Sequence, residues 1–470
     1  MRVTTTDRLT AELRDAILTG ALRAGDRLPS TRDLARQRGI ARITALQVYE
    51  RLTAEGFLDV TRGRGTFVAP LRVQDPRRSE SPLPYRLSEW CRRLPAPPQQ
   101  RPALDIDFQP GLPAQHLFPT TAWRRALVRA GAEVGHDLWQ AEHLQGYPPL
   151  REALASFLRQ TRGVLADAED IVIVNGSQQA LDLIARVILD AGDRVVVEDP
   201  CYPGALSAFQ AHGAVIEPVP VDGMGLPTDQ LPPDGVRLLF FTPAHQFPMG
   251  PVLPLQRRLA LKDWLLAHGA LAIEDDYDSE LHYGPEPGPA FQSLVPQQVL
   301  YLGTFSKTLF PGLRLAYMIV PRSLRDAVLR TKAVLDRQSP LLLQAIVAEF
   351  MQQGHWLRHL TRLRRAYADQ GRALEQHLRA LVAFGHLERS PSSGFHVVFW
   401  LARHRAADVA AAAASRGLGV YPLEPYVIRK PRAEALLLGF ANLLPETIQR
   451  GVAVLQQVLE DLDARSLGRS

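Results

Sequence analysis

Between positions 6 and 18, Leu9, Leu13 and Ile17 recur four residues apart. That spacing predicts an amphipathic helix with one apolar stripe. The stretch LPSTRDLARQRG predicts a second helix, with Ser30 as N-cap, Asp33 in a capping-box position and Gly39 as the stop. A third helix is predicted over about 42–55, where Ala45, Val48, Tyr49 and Leu52 share a face and Gly56 closes it. FLDVTRGRGTFVA then alternates around Arg62-Gly63-Arg64-Gly65, a hairpin with a glycine turn. Three short helices followed by a two-stranded wing predict an α+β winged helix-turn-helix over residues 1–70.

From residue 104 to 470 the rhythm changes. DIVIVNGSQQALDLIARVIL reads as a strand, a glycine turn and a helix. RVVVEDP, AVIEPVPV, VRLLFFTP, ALAIEDD and VLYLGTFSK are further strand-like runs, with helical stretches such as 254–268 between several of them. This alternation predicts an α/β domain with a mostly parallel sheet. In such sheets ligands bind beyond the carboxyl ends of the strands, so the polar residues just after each run are the ones to weigh.

Between these two patterns, residues 71–103 and the adjoining Pro70 carry eight prolines with scattered Arg and Ser. Such a segment builds no core and is expected to be a linker, with Leu87, Trp90 and Leu94 hinting at a short helix within it. Composition adds limits. Hydrophobic residues make up 46% and charged residues 22% of the 470, which excludes wholesale disorder. Two cysteines, Cys91 and Cys201, cannot build a disulfide framework or a four-Cys zinc site. No apolar signal core opens the chain and no apolar run is long enough to span a bilayer, so a cytoplasmic location is expected. The net charge of +5 is concentrated near the N-terminus, where residues 1–70 hold 12 Arg against 8 acidic residues. A basic head on a near-neutral body suggests a polyanion partner. Only four residues are lysine (Lys262, Lys307, Lys332 and Lys430), which narrows the search for a reactive amine.

Three polar clusters follow strand-like runs. Gly176-Ser177-Gln178 opens a helix, whose N-terminal N–H groups hold anions. Ser306, Lys307 and Arg314 follow VLYLGTF, an arrangement that joins an amine to an aldehyde beside a phosphate site. EDDYDSE follows ALAI, and a buried carboxylate there can hold a pyridinium nitrogen protonated. On the head, the first residues of the third helix are expected in the DNA major groove, which makes Arg42 and Thr44 candidates for base or phosphate contact. Arg32, at the start of the second helix, and Arg62 and Arg64 on the wing can pair with phosphates.

Residues 6–69 resemble the DNA-binding domain of the GntR family through Leu28-Pro29-Ser30, Arg32, Leu34-Ala35, Arg42, Thr44, Tyr49, Leu52, Gly56 and Gly63-x-Gly65-Thr66-x-Val68. Ala41, Ile43 and Ala45 depart from the family pattern close to DNA, which leaves the operator sequence open. Residues 104–460 resemble the fold type I, aspartate aminotransferase-like enzymes that use pyridoxal 5′-phosphate (PLP), most specifically through Ser306-Lys307-x6-Arg314 and the ED(D)-x-Y signature upstream. The resemblance implies Lys307 as the Schiff-base lysine, Asp275 (with Asp276 as rival) as partner of the pyridine nitrogen, and Tyr277 near the 3-hydroxyl. It further implies Ser177, Gln178, Ser306 and Arg314 as the phosphate cup and Tyr202 as the aromatic cover. It also places His245 and Gln246, in TPAHQFPMG, at the cofactor. A GntR-type head on such a body is similar to the MocR subgroup of transcriptional regulators. That likeness implies a head-to-tail homodimer which binds PLP covalently, binds operator DNA, and controls vitamin B6 or amino-acid metabolism genes in response to PLP or an amino compound.

A working aminotransferase with a DNA-binding domain is the alternative. Transamination needs a cation for the substrate carboxylate, and the family supplies an arginine from a C-terminal segment that here reads LLLGFANL, with Leu437 in its place. Arg429 or Arg432 could substitute. In GABA-responsive relatives a second arginine follows the Tyr of the EDPCYPG loop, where this chain has Gly204.

Overall fold

The computed structural model describes residues 4–61, 64–70, 86–96, 103–135, 143–284, 288–390, 392–429 and 433–467. By internal contacts the chain divides into residues 1–86 and 87–470. In the first unit α1 (Thr5–Leu18) starts at a Thr4/Asp7 capping box. Helix α2 (Thr31–Arg38) starts at Ser30, whose hydroxyl accepts the Asp33 N–H, and stops at left-handed Gly39. Helix α3 (Arg42–Ala54) follows, then the antiparallel pair β1 (Leu58–Thr61) and β2 (Gly65–Val68), with Leu58 opposite Val68. Leu9, Leu13, Ile17, Leu34, Ala45, Val48, Leu52, Leu58 and Val68 form its core. Fully burying one such aliphatic side chain contributes about 1.5–3 kcal/mol. Arg14–Glu55, Arg38–Glu12 and Arg51–Asp7 ion pairs lace the outside.

The second unit opens with α4 (Glu89–Arg93), where the Leu87/Trp90/Leu94 spacing predicts a helix. A parallel pair joins β3 (Ile106–Asp107) to a distant strand near residue 418. Helices α5 (Thr120–Glu133) and α6 (Pro148–Arg162) precede the main sheet. Its strands are β4 (Ile171–Val174), β5 (Arg194–Asp199), β6 (Val215–Pro220), β7 (Val236–Phe241), β8 (Leu271–Asp276), β9 (Val299–Thr304) and β10 (Ala316–Ile319). Among the described residues their order is β4-β10-β9-β8-β7-β5-β6, and β10 runs against its neighbours. Helices α7 (Ser177–Ile188) and α8 (Pro203–Ala211) follow β4 and β5, while α9 (Leu255–His268) and α10 (Arg325–Leu335) follow β7 and β10. Strands β4 and β9 are buried along their whole length, which explains their unbroken apolar runs.

Helices α11 (Leu341–Gln352) and α12 (His355–Arg379) lead to a second sheet of β11 (Gly385–Leu387), β12 (His396–Leu401), β14 (Tyr421–Pro422) and β15 (Ala435–Gly439). Helix α13 (Ala406–Ala414) carries the alanine tract, β13 (Leu418–Gly419) is the partner of β3, and α14 (Pro445–Leu467) ends the described chain. The sequence pattern did not separate β10 from the polar loop before it. That strand begins two residues after Arg314, so its apolar run reads as a continuation of the functional segment.

Candidate cofactor site

The carboxyl ends of β4, β5, β7, β8 and β9 open onto one cavity of about 260 Å³. Its lining includes Ser177, Gln178, Tyr202, Asp275, Tyr277, Ser306, Lys307 and Arg314, all implied as cofactor residues by the sequence. The turn Asn175-Gly176 hands β4 to α7, and no side chain caps the helix, so its first N–H groups stay open to an anion. Gly176 has φ +93°, and a Cβ there would lie 2.9 Å from the Arg314 guanidinium. Helix N-terminus and cation thus crowd one end of the cavity. At Gly204 a Cβ would come within 2.5 Å of both the Tyr202 ring and Gln178, so no side chain enters there without displacing the cavity wall. Gln178 also donates to the Gly204 carbonyl at 2.9 Å.

Asp275 and Asp276 differ in direction. Asp276 accepts from Arg162 Nε at 2.9 Å and Tyr301 OH at 2.6 Å, on the far side of the strand from the cavity. Asp275 lines the cavity. Burial pushes its carboxyl up to about 7, nearby Asp276 pushes the same way, and Lys307 opposes. Burial lowers the Lys307 amine, against Asp275 and Asp278. Lowering favours the uncharged amine, the form that attacks a carbonyl. Lys307 Nζ donates to the Gly111 carbonyl at 3.1 Å and lies 5.7 Å from the centre of the Phe395 ring.

His245 and Gln246 are not among the residues that line this cavity. His245 Nδ1 lies 2.7 Å from Asp278 Oδ2 and 3.0 Å from Tyr277 OH, so the imidazole stands behind Tyr277. Gln246 donates to the carbonyls of Pro200 and Phe247 and braces the loop from inside. Thr242 and Phe247 are the members of that stretch which reach the cavity. Arg429 is no substitute carboxylate anchor: it is exposed and donates to the Pro218 carbonyl at 2.7 Å. Arg432 lies outside the described residues. Leu437 is fully buried against Val398, Leu423 and Ala435. Among the described residues, Lys307 and Arg314 are the only cations on the cavity wall. Sequence reasoning missed Pro110, Gly111, Thr242, Phe247, Thr304, Pro311, Phe395 and Tyr426. Thr242 and Thr304 sit one residue after β7 and at the end of β9, a positional signal open to use, whereas Gly111, Phe395 and Tyr426 arrive only through tertiary folding.

On the winged helix, Arg32, Arg42 and Arg64 are exposed and have no ion-pair partner among the described residues, while Arg14, Arg38 and Arg51 are paired. Thr44 is half-buried in the first turn of α3. Ala41 caps α3 without a side-chain hydrogen bond, which leaves the N–H groups beside Arg42 open. Arg62 lies outside the described residues.

Head and cavity define a class: a winged helix-turn-helix on a fold type I aminotransferase-like body. Residues 5–68 match the family described as bacterial regulatory proteins, gntR family, and residues 109–455 match aminotransferase class I and II. The probable rhizopine catabolism regulatory protein MocR of Rhizobium meliloti is 35% identical over 97% of this chain and 94% of its own length. The pyridoxine biosynthesis transcriptional regulator PdxR of Corynebacterium glutamicum is 32% identical over 98% and 96%. Among solved structures, LysN, the α-aminoadipate aminotransferase of Thermus thermophilus, is similar at TM-score 0.69 and 30% identity, over 76% of this chain and 93% of that one. The chain belongs to the aminotransferase class I and II family and, over nearly its whole length, to the MocR-type transcriptional regulators in which that body carries a GntR-family head.

The cofactor of such a body is PLP, and the residues present fit it. An uncapped helix N-terminus, Ser177, Ser306 and Arg314 would hold its phosphate, the buried Asp275 carboxylate its ring nitrogen and the half-buried Lys307 amine its aldehyde, all in the lining of one cavity. When bound, PLP supplies an aldehyde for the amine and an electron-withdrawing ring.

Proposed function

We propose that the protein is a cytoplasmic PLP sensor that attaches the cofactor to Lys307 and converts its presence into altered operator binding by a head-to-tail homodimer. The nine residues Ser177, Gln178, Tyr202, His245, Asp275, Tyr277, Ser306, Lys307 and Arg314 form its cofactor machinery, with His245 acting through Tyr277. Arg32, Arg42, Thr44, Arg62 and Arg64 face DNA. The domains are the head over 1–70, the linker over 71–103 and the body over 104–470. One observation favours sensing over turnover: among the described residues the cavity wall has no cation beyond Lys307 and Arg314, and so no anchor for a substrate carboxylate. Gly204 and Leu437 stand where such anchors are expected: a Cβ at Gly204 would meet the Tyr202 ring and Gln178, and Leu437 is fully buried in an apolar cluster. The same observation favours PLP over a carboxylate-bearing amino compound as the signal. Genes of vitamin B6 metabolism are the targets that agree with it, in line with the likeness to a pyridoxine biosynthesis regulator.

The test is an absorbance spectrum of the full chain with PLP, followed by borohydride and peptide mass mapping. A new visible or near-ultraviolet band, and a reduced adduct on Lys307, are expected, with both absent in Lys307→Ala. An adduct that survives in Lys307→Ala defeats the assignment. Rapid conversion of amino acids to keto acids by the loaded protein would favour the enzyme reading.

A further inference from the structure

Among the described residues Lys332 in α10 is fully buried, whereas Lys307 is half-buried, and Lys332 does not line the cavity. Its ammonium donates to both oxygens of Asp336 at 2.9 and 2.8 Å and lies 3.3 Å from Ser339 Oγ. Asp336, the residue that ends α10, is more than a counter-ion. Its Oδ2 also accepts from Asn175 Nδ2 at 2.9 Å and from Gln179 Nε2 at 2.8 Å. Gln179 Oε1 in turn accepts the Asn175 N–H at 2.6 Å, and the Asn175 carbonyl accepts from Arg314 at 3.4 Å. Ser339 donates to the Ile173 carbonyl at 3.3 Å, two residues before Asn175. Every polar group of Asn175 with a described partner is therefore tied to this cluster or to Arg314.

Asn175 is the last residue before Gly176. A turn with a glycine at positive φ and no side-chain cap has little of its own to fix it, and leaving it free costs conformational entropy whenever an anion must be gripped. A buried ion pair adds little net folding stability over an apolar pair of similar volume. What this pair supplies is direction: a carboxylate held in place by an ammonium, with its remaining lone pairs aimed at the turn.

We infer that Lys332 and Asp336 are positioning residues for the phosphate of the cofactor. They hold Asn175 so that the first N–H groups of α7 and the Arg314 guanidinium keep one geometry. The inference rests on the PLP reading above. Neither residue touches the cavity, so neither contributes to the chemistry of the aldehyde or ring.

The test compares PLP with pyridoxal, which has the same aldehyde and ring without the phosphate, by absorbance titration of the full chain. Lys332→Met with Asp336→Leu removes both charges together and leaves no unpaired ion. PLP affinity is expected to fall by about tenfold or more, the scale of loss when support behind a binding group is removed, with pyridoxal affinity unchanged within about twofold. Borohydride should still fix PLP on Lys307 at saturation. Asn175→Ala, which leaves the ion pair in place, is expected to show the same phosphate-specific loss and serves if the double variant does not fold. Equal losses for both ligands would mark a packing defect and overturn the inference, as would unchanged PLP affinity in either variant. A wild-type chain that takes up neither ligand overturns the PLP reading, and this inference with it.

Discussion

Asp275 shows what burial does to a single side chain here. Its carboxyl sits at about 7 because burial strips its water and Asp276 adds like charge, with Lys307 opposing. In the unfolded chain a carboxyl of this kind titrates near ~3.9. Between those pH values the folded chain holds a proton that the unfolded chain has released. Stability therefore falls as pH rises across that window, by up to about 1.4 kcal/mol per pH unit for one proton. Glu198 and Glu274 are pushed up to about 7 by the same cause and add slope of the same sign. In thermal melts of the ligand-free chain, Tm is expected to fall from about pH 5 to about pH 7, inside that window. Asp275→Asn, which keeps the shape and cannot ionise, should show a shallower fall. Equal slopes for the two proteins would mean that Asp275 is already ionised in the free cavity.

At the scale of elements, α3 and α7 share one feature, a helix start without a side-chain cap beside an arginine, and in the proposed function each meets a different phosphate. On α3 the arginine is Arg42, exposed and unpaired among the described residues. Arg42→Ala is expected to weaken binding of the full chain to its DNA. If Arg42 pairs with a phosphate, the substitution should lower the salt slope by about 1; if it reads a base, it should cost about 1–3 kcal/mol and relax sequence choice. Unchanged affinity and slope, measured by titration at several salt concentrations, would move the reading surface elsewhere. These elements were legible because each lies where a pattern breaks: a polar residue directly after an apolar run marks the end of a strand, and strand ends face the ligand. Asp275, Ser177 and Lys307 follow that rule. Gly111 does not, since it meets Lys307 across 196 positions of sequence and belongs to no run. His245 follows the rule and still turns away, because Asp278 offers its ring a carboxylate at 2.7 Å. A linear pattern carries the end of a strand; it does not carry the partner that decides where a side chain points.

For the molecule as a whole, the question is how a cofactor held in the body reaches DNA held by the head. The head has a core of its own and ion pairs of its own, so it has what a domain of this size needs to fold alone. The arginines proposed to face DNA are in the head and every residue lining the cofactor cavity is in the body. A response of DNA binding to PLP therefore has to pass from one unit to the other, and it can exist only if PLP favours one arrangement of the full chain over another. A fragment of residues 1–70 should bind DNA selected with the full chain, and its affinity should not change with PLP. The full chain should bind more tightly, because two heads tethered in one dimer raise the effective concentration of the second, an effect worth ~10²–10⁴ in avidity when the geometry permits both to engage. Its affinity should also shift when PLP is added. Parallel DNA titrations with and without PLP decide the matter. A fragment that matches the full chain in affinity removes the need for a dimer, and a full chain indifferent to PLP leaves the cofactor without a role in transcription.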